Sequence, residues 1–184
     1  MDDNGLYVRT LVKIAGFKRG NAYKIASIAV GSIVFLFVLP LILFAIVGLA
    51  LEPRTFAFVP RAIEWIFAPV VIAVGLFFVA WSAWTQWTIG RGTPAPFAPT
   101  QHLVVSGPYK LCRNPIELGA IVYYLGIGTI FGGTTFGIVC MALGFVIGST
   151  YHRFVEEKEL RARFGEEYEN YRKITPFLIP RLRK

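Results

Sequence analysis

Leu118 to Tyr151 reads LGAIVYYLGIGTIFGGTTFGIVCMALGFVIGSTY, 34 residues without a charge. A single membrane-crossing helix needs about 20 apolar residues, so this run is too long for one span and right for two short ones. Gly132-Gly133-Thr134-Thr135 near its middle supplies the turn of a helical hairpin. Upstream, Ile25 to Leu51 carries no charge over 27 residues, and Trp65 to Gly90 carries none either. Four transmembrane helices follow. Inside a bilayer every backbone polar group must be paired internally, which excludes an open sheet and makes the fold all-α.

Composition points the same way. Hydrophobic residues make up 55% of 184, and charged residues only 16%, against about 25% in a soluble domain. The net charge of +8 falls between apolar spans, where basic residues act as anchors beside anionic lipid headgroups. No nucleic-acid motif accompanies it, so nucleic acid is not an expected partner. Lys and Arg number five in residues 1–24, two between Leu51 and Trp65, and three between Gly90 and Leu118. The hairpin turn has none, and nine follow Tyr151. That alternation places both termini on the cytoplasmic side by the positive-inside rule. Residues 1–24 are too polar for a cleavable signal peptide. Cys112 falls on the cytoplasmic side and Cys140 within a span, a pair expected to be reduced and without metal-ligand spacing.

Three regions emerge. Residues 1–24 form a basic cytoplasmic arm, an interfacial helix with Leu6, Leu11, Val12, Ile14 and Phe17 on its apolar side. Residues 25–90 hold the first two spans. Pro40 is expected to kink the first of them where neighbouring helices compensate. Trp81, Trp84 and Trp87 fit an aromatic belt or a cation-facing wall. Residues 91–184 hold a long connection, the hairpin and a C-terminal helix. Pro94, Pro96, Pro99 and Pro108 keep the connection from forming a regular helix, while Phe97, Leu103, Val104, Val105 and Tyr109 argue that it packs onto something.

The chain beyond the hairpin reads as a surface helix. Leu160, Phe164, Tyr168 and Tyr171 recur on one face. Glu157 with Arg161 and Glu159 with Arg163 stand at i,i+4. Glu156 and Glu157 sit where a new helix would start, favourable for its dipole. Gly165 should interrupt the helix, and Pro176 and Pro180 bound an extended Phe177-Leu178-Ile179. If the hairpin forms, Glu156-Glu157 emerges on the same side as the polar block Ser106 to Pro115, and two charged clusters meet in a composite site.

Those two blocks carry a family pattern: Gly107-Pro108-Tyr109, then Arg113-Asn114-Pro115-Ile116-Glu117, a hairpin, Glu156-Glu157, and Phe164-Gly165-Glu166-Glu167-Tyr168. Preceded by Gln101-His102-Leu103-Val104, the set resembles the integral-membrane methyltransferases typified by isoprenylcysteine carboxyl methyltransferase and the phospholipid N-methyltransferases. The resemblance covers residues 90–180. It implies S-adenosyl-L-methionine as cofactor, in a cytoplasm-facing pocket capped by the C-terminal helix, and a lipophilic or lipidated substrate entering from the membrane lipids. Gln101, His102, Leu103, Val104, Tyr109, Arg113, Asn114, Pro115, Glu117 and Glu156 would line the cofactor site by that resemblance. His152 or Arg153 falls near the family's substrate-contacting arginine. Asn114 stands where the family has histidine, and Glu117 where it has tyrosine.

Methyl transfer is an in-line displacement, so orientation and electrostatics do most of the work. A carboxylate acceptor is already nucleophilic. An amine must lose a proton, and then Glu117, Glu157 or His152 would serve as base. Two other functions fit the sequence: an NADPH-dependent membrane reductase of the sterol-reductase type, and a non-enzymatic membrane protein that keeps a degenerate cofactor fold. The cofactor loop offers a dinucleotide's phosphates only Arg91, Lys110 and Arg113.

Overall fold

The computed structural model describes residues 5–17, 19–54 and 58–180. The first four residues of the basic arm, Lys18, and the terminal cations Arg181, Arg183 and Lys184 lie outside the described residues. Among the described residues all regular structure is helical. Helix α1 spans Leu6–Ala15, α2 Asn21–Ala50, α3 Arg61–Thr88, α4 Pro115–Gly132, α5 Thr134–Tyr151 and α6 Glu157–Ile174, with a 3-10 turn at Gly107–Lys110. A π-type turn at Val34–Val38 lies within α2, and a second at His152–Glu156 joins α5 to α6. Four of the described helical runs are long and apolar enough to cross a membrane: α2, α3, α4 and the run opened by α5. The chain is an integral membrane protein. The uncharged part of the last run ends at Tyr151, and the charged chain beyond it lies outside the span.

The residues form two compact units. One, of residues 32–80 and 116–148, contains the hairpin. Its core joins Leu43 and Val47 of α2 to Ala120, Tyr123 and Tyr124 of α4 and Phe136 and Cys140 of α5. Lipid tails are as apolar as leucine, so such helices are held by close packing and hydrogen bonds rather than by escape from water. Close packing here needs glycine. A Cβ on Gly128 would lie 2.7 Å from Gly137 Cα, and one on Gly75 would lie 2.6 Å from the Gly119 carbonyl oxygen.

Polar groups in this unit are largely spent on backbone. Pro40 has no N–H to give the Leu36 carbonyl, a defect that costs about 3 kcal/mol in a helix interior. The Tyr123 hydroxyl donates to that carbonyl at 2.9 Å, and Tyr124 donates to Phe35 at 3.1 Å. The expected compensation by a neighbouring helix is therefore supplied by α4. The hairpin turn is tighter than the sequence suggests: Gly133 alone, with φ of 89°, separates α4 from α5. Glu64, only 2% exposed, accepts from the Thr134 N–H at 2.8 Å and its hydroxyl at 3.0 Å, and so caps the start of α5. Arg54 balances it at 3.3 Å. Nothing in the sequence pattern singled out this carboxylate.

The second unit comprises residues 1–31, 81–115 and 149–184. In it α1 packs against α6, burying Val8, Leu11 and Ala15. The connection after α3 folds back as a compact loop. Gly90 accepts from the N–H groups of Gln101 and His102, and Thr93 closes a turn on Ala98 at 3.0 Å. Val104, Tyr109, Tyr168 and Tyr171 form the apolar heart of this unit, with Leu103, Leu160 and Phe164 against them. The stripe read along the C-terminal helix is thus a docking face. Gly165 does break that helix, at φ 52° and ψ −123°.

Candidate functional site

The site builds up around the 3-10 turn Gly107–Lys110. Gly107 takes φ of 60°, a left-handed conformation open to glycine at no steric cost, and lies against Thr85 of α3. That turn buries Tyr109. The Tyr109 hydroxyl accepts from Gln86 Nε2 at 2.6 Å, while its backbone carbonyl accepts from the Tyr171 hydroxyl at 2.7 Å. Burial, with the nearby Glu156 charge adding to it, pushes the Tyr109 phenol well above its ordinary value, so it stays a neutral donor.

The C-terminal segment is stitched onto the end of the loop. Arg113 N–H donates to Pro176 at 2.9 Å. Asn114 donates to the Phe177 carbonyl twice, from its backbone at 3.2 Å and from Nδ2 at 3.0 Å. The Arg113 guanidinium pairs with Glu157 at 2.9 Å, hydrogen-bonds Tyr168, and lies 5.6 Å from the Phe177 ring centre. Arg153 approaches the same ring at 4.9 Å. Two cations on one aromatic ring, one of them ion-paired and the other exposed, make Phe177 a marked point of the site.

His152 and Glu156 pair one helical turn apart within the π-type turn, a local widening found often at functional positions. Burial would raise the Glu156 carboxyl, but His152 and Arg163 outweigh it and hold the group below its usual range. Glu156 is therefore ionised at neutral pH. Arg163 pairs with Glu159 at 2.8 Å and donates to the Thr100 carbonyl, fixing α6 to the loop.

Two expectations need correction. Glu156 and Glu157 do not open a new helix: Glu156 has helical φ and ψ, and the chain runs on from α5 through the π-type turn, so no free N-terminal dipole accounts for them. Glu157 does not pair with Arg161 either. It faces Arg113 and Arg172, while Arg161 reaches Glu169 at 2.5 Å. The Glu159–Arg163 pair forms as the spacing indicates.

Of the residues singled out by sequence, Tyr109, Arg113, Asn114, Arg153 and Glu157 gather with Tyr171 and Phe177, and Glu156 with its partner His152 lies close enough to act on Tyr109. Leu103 and Val104 pack behind Tyr109. Gln101 spends its amide on the Ala15 and Pro99 carbonyls at 3.1 and 3.3 Å, and His102 is exposed. Pro115 is buried at the start of α4. Glu117 belongs to the hairpin unit, 3% exposed, its Oε1 2.8 Å from where a Gly148 side chain would begin.

Gln86 and Phe177 were not marked as site residues. A lone amide in the apolar, tryptophan-rich run of α3 was the signal for Gln86, and an aromatic between two prolines was the signal for Phe177. Both cysteines are free and buried. Among the described residues, no group of three or more His, Cys, Asp or Glu side chains could hold a metal ion.

The phospholipid methyltransferase family profile matches residues 63–167, more than half of the chain. The chain is 30% identical over 115 residues to the nickel-cobalt-cadmium resistance protein NccN of Alcaligenes xylosoxydans xylosoxydans, covering 60% of this chain and 53% of that one. It is 32% identical over 78 residues to methanethiol S-methyltransferase 2 of Bradyrhizobium diazoefficiens, covering 40% and 27% respectively. The cobalt-zinc-cadmium resistance protein CzcN of Cupriavidus metallidurans is 29% identical over 118 residues, covering 62% and 51%. The chain therefore spans about half the length of the two resistance proteins and about a quarter of the methyltransferase. No solved structure matches it.

Proposed function

This chain belongs to the phospholipid methyltransferase family, and on that footing we propose that it transfers a methyl group from S-adenosylmethionine to a lipophilic acceptor at the cytoplasmic face of a membrane, with both termini on that side. The observation that carries this is the stitching of two sequence-distant polar blocks: Arg113 and Asn114 are bonded to Pro176 and Phe177 and to Glu157.

The residues present suit the cofactor. Gln86 Oε1, Ser106 Oγ and Arg113 Nε are buried without a hydrogen-bond partner among the described residues, and such atoms call for a ligand or water. Glu156, ionised, can accept from ribose hydroxyls. Tyr109 offers a donor, and Asn114 holds the loop in place. When bound, S-adenosylmethionine supplies a methyl carbon on a positively charged sulfur, transferable to a nucleophile without redox change.

The acceptor we favour carries its own negative charge, as a carboxylate or a thiolate does. Of the three candidate bases, Glu157 is engaged by Arg113 and His152 by Glu156, so an amine would compete with Arg113 or Glu156 for them, and Glu117 belongs to the hairpin unit. Arg153, exposed and held over Phe177, can attract an anionic head while the lipophilic tail stays in the bilayer. Methanethiol S-methyltransferase 2, among the relatives, is named for a sulfur acceptor. The names of the two resistance proteins point to metals, but the described side chains assemble no donor set for direct metal holding.

Purified protein given methyl-labelled S-adenosylmethionine should label a prenylcysteine-type carboxylate or a lipophilic thiol in preference to phosphatidylethanolamine. Preferential labelling of the amine lipid would overturn the anionic-acceptor assignment. NADPH oxidation with no label transferred would put the reductase in place of the methyltransferase.

A further inference from the structure

Gln86 is held by one end only. Its Nε2 donates to the Tyr109 hydroxyl at 2.6 Å, while its Oε1 is buried with no hydrogen-bond partner among the described residues. Ser106 Oγ is in the same condition. The two belong to one neighbourhood. The Ser106 carbonyl accepts from the Tyr109 N–H at 3.2 Å, and a Cβ on adjacent Gly107 would lie 3.1 Å from Oγ1 of Thr85, the residue before Gln86. Since the Tyr109 oxygen accepts from Gln86, its own proton remains available to donate, and burial keeps that proton in place.

The set is thus one acceptor, Gln86 Oε1, on an amide bonded to the Tyr109 hydroxyl, with the Ser106 hydroxyl in the same neighbourhood and no net charge among the three. A lone carboxylate would meet the partial negative charge of Gln86 Oε1, and a lone ammonium would leave the hydroxyl protons unused. A zwitterion, with ammonium and carboxylate on one carbon, uses acceptor and donors together. We propose that Gln86 and Ser106 bind the α-amino-acid end of S-adenosylmethionine. The assignment rests on the methyltransferase function proposed above and adds two residues that the family pattern did not mark.

The test is calorimetric binding of two ligands to detergent-purified protein. S-adenosylhomocysteine carries the amino-acid end; 5′-methylthioadenosine has the same nucleoside and a thioether but lacks that end. Gln86→Met keeps the volume, and Ser106→Ala removes one atom, so the second variant carries the test if the first fails to fold. Each should lose about tenfold or more in affinity for S-adenosylhomocysteine and keep wild-type affinity for 5′-methylthioadenosine. Equal loss for both ligands would reassign the two residues to packing, and no loss for either would assign them to water; each result overturns the proposal. Wild type that binds S-adenosylhomocysteine, with unselective variants, defeats this proposal alone. Wild type that binds neither ligand defeats it together with the methyltransferase function.

Discussion

The two units differ in how fully they pair their buried polar groups, although Arg54 Nη1 of the hairpin unit also lacks a hydrogen-bond partner among the described residues. In the hairpin unit Tyr123 and Tyr124 cap the carbonyls around Pro40, and Glu64 caps Thr134 and pairs with Arg54. In the other unit a buried amide oxygen, a buried hydroxyl and a guanidinium nitrogen have no hydrogen-bond partner among the described residues. Leaving such a group unpaired costs about 1–3 kcal/mol. A membrane scaffold minimises that cost, whereas a binding site accepts it in advance of its ligand. The first unit is accordingly glycine-packed and apolar, and the second is a polar cluster around buried aromatics.

The contrast can be broken first at a close contact between α4 and α5. Gly137→Leu would drive a Cβ to 2.4 Å from the Leu125 carbonyl oxygen and 2.5 Å from Thr129 Oγ1. Because both neighbours belong to rigid helix, the expected loss is about 3 kcal/mol or more, seen as a collapse of monodisperse protein in detergent. A retained thermal midpoint would mean that the hairpin is looser than described.

Arg113→Ala comes next. Removing one member of a buried ion pair costs about 3–5 kcal/mol, and the slight exposure of both partners, 13% and 15%, reduces the expectation to about 2–3 kcal/mol. Thermal unfolding should register that loss together with weakened S-adenosylhomocysteine binding.

A matched pair of hydroxyl deletions sharpens the comparison. Tyr123→Phe should cost about 1 kcal/mol of stability and leave ligand affinity unchanged, because that hydroxyl serves only a backbone carbonyl. Tyr171→Phe frees the Tyr109 carbonyl and should cost a similar amount while lowering affinity several-fold. Equal affinity in the two variants would erase the functional distinction between the units.

The smallest effect is in pH. Glu156 is held below its ordinary value in the folded protein, so its contribution is present above the unfolded carboxylate value of about 4.3 and is lost as pH falls through the lower folded value. His152→Ala removes the main partner opposing burial, and the acid limb of S-adenosylhomocysteine binding should move to higher pH. An unmoved limb would detach Glu156 from the ligand.

Much of the fold is legible because lipid imposes a simple rule: uncharged runs of sufficient length become helices, and an overlong run turns at its glycines, here at Gly133 alone. Pro40 was readable as a kink needing outside help, though not which hydroxyls would give it. Less of the site was legible. Tyr109, Asn114 and Glu156 sit in recognisable motifs, but Glu157 chose the distant Arg113 over the i,i+4 partner Arg161. Local spacing cannot weigh a partially buried long-range pair against a solvated short-range one. Gln86 escaped notice because its importance lies in an atom left unpaired, which no pattern of residue types records. Glu64 was hidden likewise, since a charge beside a span reads as solvated until the chain returns to be capped by it.

Calorimetric titration of wild-type protein with S-adenosylhomocysteine, beside NADPH and with Glu156→Ala and Asn114→Ala in parallel, tests the central claim most directly. The account predicts saturable binding of S-adenosylhomocysteine, none of NADPH, and weaker binding in both variants. Well-folded wild type that ignores S-adenosylhomocysteine, or that prefers NADPH, would contradict it.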